Sequence, residues 1–180
     1  GYNNIPVDKA TEKGIVVFNT PGANANAVKE LVVCGLLLAS RGIVQGSVFS
    51  SSLESPDDNA LNQSDEQAKK TFKGNEVQGK TLGIIGLGAI GSMVAQSAAS
   101  LGMKIIGYDP HISIDAAWRL PSDVEKASSI PALLKKSDYI SIHVPLIDET
   151  KNLIDSEAFM AMKTGTKLIN LSRGGIVNDE

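Results

Sequence analysis

Residues 80–91 read Lys80-Thr81-Leu82-Gly83-Ile84-Ile85-Gly86-Leu87-Gly88-Ala89-Ile90-Gly91. An alanine-rich stretch from Ser92 to Leu101 follows, and then Lys104-Ile105-Ile106-Gly107-Tyr108-Asp109. The apolar runs on either side predict two buried strands, and the stretch between them predicts a helix. Strand, G-x-G-x-x-G, helix, strand and acidic residue together form the fingerprint of a dinucleotide site. Gly86 permits a tight turn out of the strand. Gly88 leaves the backbone open to a pyrophosphate, and Gly91 lets the helix lie close to the sheet. Free N–H groups at the helix start favour the phosphate charge. Asp109 follows the second strand, where a carboxylate accepts hydrogen bonds from the ribose hydroxyls and repels a 2′-phosphate. Pro110 follows it, rather than an arginine that would pair with that phosphate. The expected cofactor is therefore NAD.

Working outward, Gly14 to Asn19 (GIVVFN) predicts a strand stopped by Pro21-Gly22. Asn24 or Asn26 would cap a helix running to about Ser40, apolar around most of its circumference and so expected to be buried. Gly46 to Lys73 is polar, with a turn signal at Pro56-Asp57-Asp58. It predicts a mobile loop first and a short helix over Asp65 to Phe72. After Asp109 the chain reads as irregular to Ala127, apart from a short helix at Ile114 to Trp118. Further helices are expected at Ile130–Lys136, started by Ser128 or Ser129, and at Ser156–Met162. Further strands are expected at Asp138–Val144 and Thr166–Leu171. Alternation at this spacing predicts an α/β fold, a doubly wound parallel sheet of the Rossmann type.

The 180 residues suffice for an ordinary core, and 42% apolar with 21% charged content is that of a globular protein. A net charge of −3 offers no basic footprint, so nucleic acid is not an expected partner. The longest apolar run, Leu31 to Ala39, is too short to span a bilayer, so no membrane role is expected. The single Cys34 reads as a small buried hydrophobe in a reducing, cytoplasmic setting. No His/Cys/Asp cluster has metal-ligand spacing. Both ends read as cut from a longer chain.

Ligands of such a sheet gather beyond the carboxyl ends of its strands. The groups expected there are Asn24, the glycine turn, Asp109, His143-Val144-Pro145 and Leu171-Ser172-Arg173-Gly174-Gly175. Arg173, between a buried strand and two glycines, suits a bidentate grip on a carboxylate; a plain surface arginine at a strand end is the competing reading. His143 invites a general-acid reading, against which stands a pocket-lining histidine with no visible carboxylate partner.

Several blocks together resemble the D-2-hydroxyacid dehydrogenase family over nearly the whole chain. They are Gly1 to Ile5, Gly14 to Glu30, Phe72 to Gly83, Tyr108-Asp109-Pro110, His143 to Leu146 with Thr150, and Asn170 to Gly175. The resemblance is strongest to the members that oxidise 3-phosphoglycerate in serine synthesis. It implies that residues 1–22 end a substrate domain and hinge, and that 23–180 form the NAD-binding domain. Arg173 stands where the family's catalytic arginine binds the substrate carboxylate. Ala89 and Ile90 stand at the pyrophosphate, Asp109 at the ribose, and Val144 and Pro145 beside the cofactor. Leu171, Ser172 and Arg173 stand on the nicotinamide side, and Asn24 near the substrate. His143 does not correspond to the family's catalytic histidine. That histidine and its glutamate are expected beyond Glu180. The family also implies a homodimer or higher homo-oligomer. Two other readings remain: a glyoxylate/hydroxypyruvate reductase of the same family, or a non-catalytic NAD-sensing module like the corepressors of this fold.

Overall fold

A computed structural model describes residues 4–52 and 70–178. Five parallel strands make one sheet: β1 (Thr81–Ile85), β2 (Lys104–Tyr108), β3 (Glu125–Lys126), β4 (Tyr139–Ile142) and β5 (Lys167–Asn170). Their order is β3-β2-β1-β4-β5. The chain moves outward from β1 through β2 to β3. It then returns across the sheet and starts outward again from β4. β1 and β4 are therefore neighbours whose following loops lead away from each other, which opens a crevice at their carboxyl ends. The helices are α1 (Val7–Glu12), α2 (Ala25–Ser40), α3 (Ile43–Ser51), α4 (Ala89–Ser100), α5 (Ile114–Ala117), α6 (Ile130–Lys136) and α7 (Ser156–Ala161).

Both faces of the sheet are covered, as a parallel sheet requires. On one face Val32 and Leu36 of α2 and Val94 and Ala98 of α4 pack on Leu82 and Ile84. On the other, Leu133 and Leu134 of α6 pack on Ile85, Ile106, Ile140 and Ile142. β1 thus divides its side chains between two cores. Ser129 caps α6, its Oγ accepting from the Ala132 N–H at 3.3 Å, and Pro131 follows in the first turn. At the amino ends of the strands, the Asp138 carboxylate accepts from the Thr81 N–H at 2.8 Å and pairs with Lys163 at 2.9 Å. Burial works to raise the Asp138 pKa. The Thr81 hydrogen bond and the charges of Lys163 and Lys80 outweigh it and hold the carboxyl below its ordinary value.

Five expectations are corrected. Residues 14–19 form no strand. Ile15, Val16 and Phe18 are exposed, and among the described residues no neighbouring strand takes up this segment's backbone groups. α2 is buried on one face only, through Ala25, Val32, Leu36 and Ser40, because the sheet offers a helix one side to lie against. Leu31, Leu37 and Leu38 remain exposed. Cys34 lies on the uncovered side and is exposed rather than buried. Residues 46–51, expected as loop, continue α3. The Phe49 ring meets Phe72 at 5.6 Å, and the Ser51 hydroxyl satisfies the Ser47 carbonyl. Finally, Glu125 and Lys126 form an edge strand within the stretch expected to be irregular. Two exposed charged residues carry no strand pattern; pairing with β2 makes them a strand, and Glu125 also pairs with Lys136 of α6. The turn at Pro56 and residues 65–69 lie outside the described residues; Lys70, Thr71 and Phe72 are helical. No single described helix is long and apolar enough to cross a membrane. α2 and α3 pass such a test only as a pair, bent by 71°.

Candidate functional site

The glycine turn is built from three glycines with different reasons to be there. Gly86 has φ +90°, and a Cβ on it would lie 2.6 Å from the His143 carbonyl oxygen. A Cβ on Gly91 would lie 2.0 Å from the Gly86 carbonyl oxygen. The fold itself demands both. Gly88 differs: its φ is −66°, and a Cβ there would meet nothing within 4 Å. Among the described residues no atom requires this glycine, and the space beside it is open to a ligand. Gly88 is the N-cap of α4 and gives no side-chain hydrogen bond, which leaves the first N–H groups of the helix without a side-chain cap.

Asp109 sits at the end of β2 and already accepts two backbone hydrogen bonds. Its Oδ2 takes the Leu87 N–H at 2.8 Å, and its Oδ1 takes the His111 N–H at 2.9 Å. A carboxylate oxygen has more than one acceptor site, so both can also take ribose hydroxyls. Asp109 therefore holds the glycine turn, a task the sequence pattern did not assign to it.

A cavity of about 940 Å³ lies at the carboxyl ends of β1, β4 and β5. Ile90 enters it from the glycine turn. Val144 and Pro145 enter from the loop after β4, and Leu171, Ser172 and Arg173 from the loop after β5. Asn24 reaches it from the start of α2, where it is the N-cap without a side-chain capping bond. Gly86, Gly88, Ala89, Gly91 and Asp109 do not line this cavity. They belong to the turn and strand end beside it. Ile5, Pro6 and Asp8 close the cavity from α1 and the residues before it, within the segment expected to end a substrate domain and hinge.

His143 also faces the cavity, and its Nε2 lies 2.8 Å from the Ser141 Oγ. Burial pushes its pKa down from 6.5 to about 4. The ring is thus neutral at physiological pH. It is poorly matched to proton transfer there, since the effective acid or base titrates near the working pH. Arg173 is exposed and donates from Nη1 to the Ser172 carbonyl at 2.9 Å.

The family model for the D-isomer specific 2-hydroxyacid dehydrogenase NAD binding domain matches residues 51–180. The chain belongs to the D-2-hydroxyacid dehydrogenases. It carries their NAD-binding domain, and the open space beside Gly88 fits that cofactor's pyrophosphate. Among the relatives of this family is a hydroxypyruvate reductase of Thermotoga maritima. It is 42% identical over 180 residues, which is all of this chain and 53% of the relative. A D-3-phosphoglycerate dehydrogenase of Methanocaldococcus jannaschii is 40% identical over 180 residues, all of this chain and 32% of the relative. The chain thus spans between a third and about half of these dehydrogenases' length. Among solved structures, D-lactate dehydrogenase with NAD+ from Lactobacillus jensenii superposes with a TM-score of 0.74 at 30% identity. The likeness covers 99% of this chain and 49% of that one.

Two outcomes follow from this geometry. Gly88→Val should weaken NADH binding more than about tenfold while moving the melting temperature by no more than about 2 °C, because the added methyls meet only ligand space. Gly91→Ala should instead destabilise the fold by about 1–3 kcal/mol, since backbone must shift. Titration calorimetry and thermal unfolding of the two variants check this; normal NADH binding by Gly88→Val would contradict it.

The second outcome concerns pH. The His143 pKa is lower folded than unfolded, so the unfolded chain binds the extra proton. Stability is then full above about 6.5 and falls as pH drops toward about 4, by roughly 3 kcal/mol. Nuclear magnetic resonance titration of His143 should give a pKa well below 6; a value near 6.5 would contradict the burial argument.

Proposed function

We propose that this domain serves an NAD-dependent oxidoreductase of D-2-hydroxy acids, with 3-phosphoglycerate as the substrate. The observation that carries the reading is one cavity that joins the glycine turn, through Ile90, to Arg173. When bound, NAD+ supplies the acceptor for a hydride from the substrate's C2. The chain's own residues bind and orient. The α4 N-terminus and the bare backbone at Gly88 receive the pyrophosphate. Asp109 receives the adenosine ribose. Val144, Pro145, Leu171 and Ser172 hold the nicotinamide end and keep water from one side of it. Asn24 and Arg173 reach the substrate, and the guanidinium pairs with its carboxylate and polarises the C2 oxygen. The resemblance puts the proton-transfer histidine and its glutamate beyond Glu180, and His143, its pKa lowered to about 4, is poorly matched to that work.

The phosphoglycerate reading rests on the sequence resemblance and on the relative of that name. The hydroxypyruvate reductase at 42% identity supports a second reading, reduction of hydroxypyruvate or glyoxylate, at the same site. Assays of the full-length protein with each acid, followed by NADH absorbance, decide between them. Activity on 3-phosphoglycerate at least about tenfold above the others in kcat/KM supports the first reading. No turnover of any 2-hydroxy or 2-oxo acid, with intact NADH binding, would favour a sensing role. We propose further that the full-length protein is a homodimer or larger. The uncovered apolar face of α2 and α3, with Leu31, Leu37, Leu38, Ile43, Val44 and Val48 exposed, supports this.

The Asp109 carboxylate should favour NADH over NADPH. Asp109→Asn removes the charge and keeps one acceptor for the Leu87 N–H, and the gap between the two dissociation constants should close by about tenfold or more. Equal affinities in the unaltered protein would sink the argument; quenching of the single Trp118 offers a convenient signal.

The 180-residue chain by itself should bind NADH and yet oxidise 3-phosphoglycerate at least about a hundredfold more slowly than the full-length protein, for want of positioned acid–base help. A comparable rate would make a residue of this chain, His143 foremost, the acid–base group.

A further inference from the structure

The loop that presents Arg173 is short, exposed and glycine-rich after Arg173, yet an arginine that grips a carboxylate must be held within a narrow range of directions. The surrounding hydrogen bonds show what holds it. β5 ends at Asn170, paired in register with Ile142 at the end of β4. From there the Asn170 side chain bridges the turn in both senses. Its Oδ1 accepts the Ser172 N–H at 3.1 Å, and its Nδ2 donates to the Arg173 carbonyl at 2.9 Å. One planar amide therefore takes the place of two backbone partners and fixes the peptide before Ser172 and the peptide after Arg173, in the manner of an Asx turn extended by one residue. A second tie anchors the turn to the sheet, where the Ser172 Oγ donates to the Ile142 carbonyl at 2.6 Å. Beyond the glycines, the Asn152 N–H donates to the Gly175 carbonyl at 2.8 Å, and Ile154 pairs with Val177. The turn is thus fastened at both ends, and Asn170 is the side chain that sets its interior. Among the described residues the Arg173 guanidinium hydrogen-bonds only to the carbonyl of Ser172, a bond within its own turn that does not tie it to the rest of the fold.

We propose that Asn170 is a positioning residue for Arg173, acting through the backbone of the turn rather than on the substrate. This rests on the reading of Arg173 as the carboxylate-binding group. It adds that the direction of the guanidinium is set three residues upstream, by a carboxamide whose oxygen and nitrogen are both needed. A carboxylate in its place keeps the acceptor and loses the donor. An alanine loses both.

The test uses the full-length protein with Asn170→Ala, Asn170→Asp, Arg173→Lys and the Asn170→Ala/Arg173→Lys double variant. Asn170→Ala should lower kcat/KM for the 2-hydroxy acid by about ten- to a hundredfold, with the dissociation constant of NADH changed less than about twofold. Arg173→Lys should lower kcat/KM by itself, and the double variant should fall little below the worse single, because a misaimed arginine has little left to lose. Asn170→Asp should keep the melting temperature near that of the unaltered protein and still lose activity, which separates aiming from folding should Asn170→Ala unfold. Full kcat/KM in Asn170→Asp and Asn170→Ala would overturn the proposal, and so would losses that multiply independently in the double variant. An Arg173→Lys variant with unchanged kcat/KM would instead overturn the underlying reading of Arg173, and the role of Asn170 with it.

Discussion

Three backbone segments meet at Gly86 with no room for a side chain between them. The Gly86 N–H donates to the Tyr108 carbonyl at the end of β2. Its α-carbon faces the His143 carbonyl after β4, and its own carbonyl faces Gly91 in α4. Two strand ends and a helix are thereby brought to one point, and the dinucleotide turn and the loop after β4 come to lie side by side. A larger residue at either glycine would push the helix off the sheet or spread the strands, and the cavity beside this point would be deformed. The positive φ at Gly86 is a local condition on which the architecture of the whole carboxyl edge depends.

The parts of the fold legible in the sequence are those whose signal is local. β1, β2 and α4 announce themselves through an apolar run, a glycine turn and a small-residue helix. α6 announces itself through a serine, a proline and a leucine pair. The misread parts are those in which a partner decides. Residues 14–19 have the composition of a strand, but a strand exists only beside another. α2 has apolar residues on nearly every side, and periodicity cannot say that only one side is met by the sheet. α3 looks polar and flexible in sequence; two phenylalanine rings and back-bonding serine hydroxyls hold it as helix. β3 has nothing of a strand in its own residues and exists because β2 has a free edge.

The site divides along the same line. The open space beside Gly88 and the place of Arg173 in the cavity were readable because a glycine turn and an arginine after a strand carry their signal in residue type and spacing. The Leu87 tie on Asp109 and the bridging amide of Asn170 were not, since each depends on which backbone group lies within 3 Å, and spacing does not report that. An asparagine at the last position of a strand, three residues ahead of an arginine and the glycine pair that follows it, is nonetheless the type of residue that closes turns through its side chain. His143 is the reverse case. Its position in sequence suggests chemistry, and its burial removes the proton that such chemistry would use.

If Asp109 receives the ribose as proposed, its tie to the Leu87 N–H makes cofactor preference hard to change in descent. A lineage drifting toward the phosphorylated dinucleotide would gain by losing this carboxylate, but any replacement without an acceptor oxygen orphans the Leu87 N–H, and leaving such a group unpaired costs about 1–3 kcal/mol where water cannot replace the partner. The first mutation on that route loosens the turn before any new phosphate contact exists. Adaptation would have to begin elsewhere, with a neighbour able to accept from Leu87, and only then proceed to the ribose. Substrate preference meets no such obstacle, because the cavity walls around Asn24 and Leu146 carry no comparable tie to the turn. A fold arranged in this way is expected to diversify in the acids it handles while remaining conservative in the nucleotide it keeps.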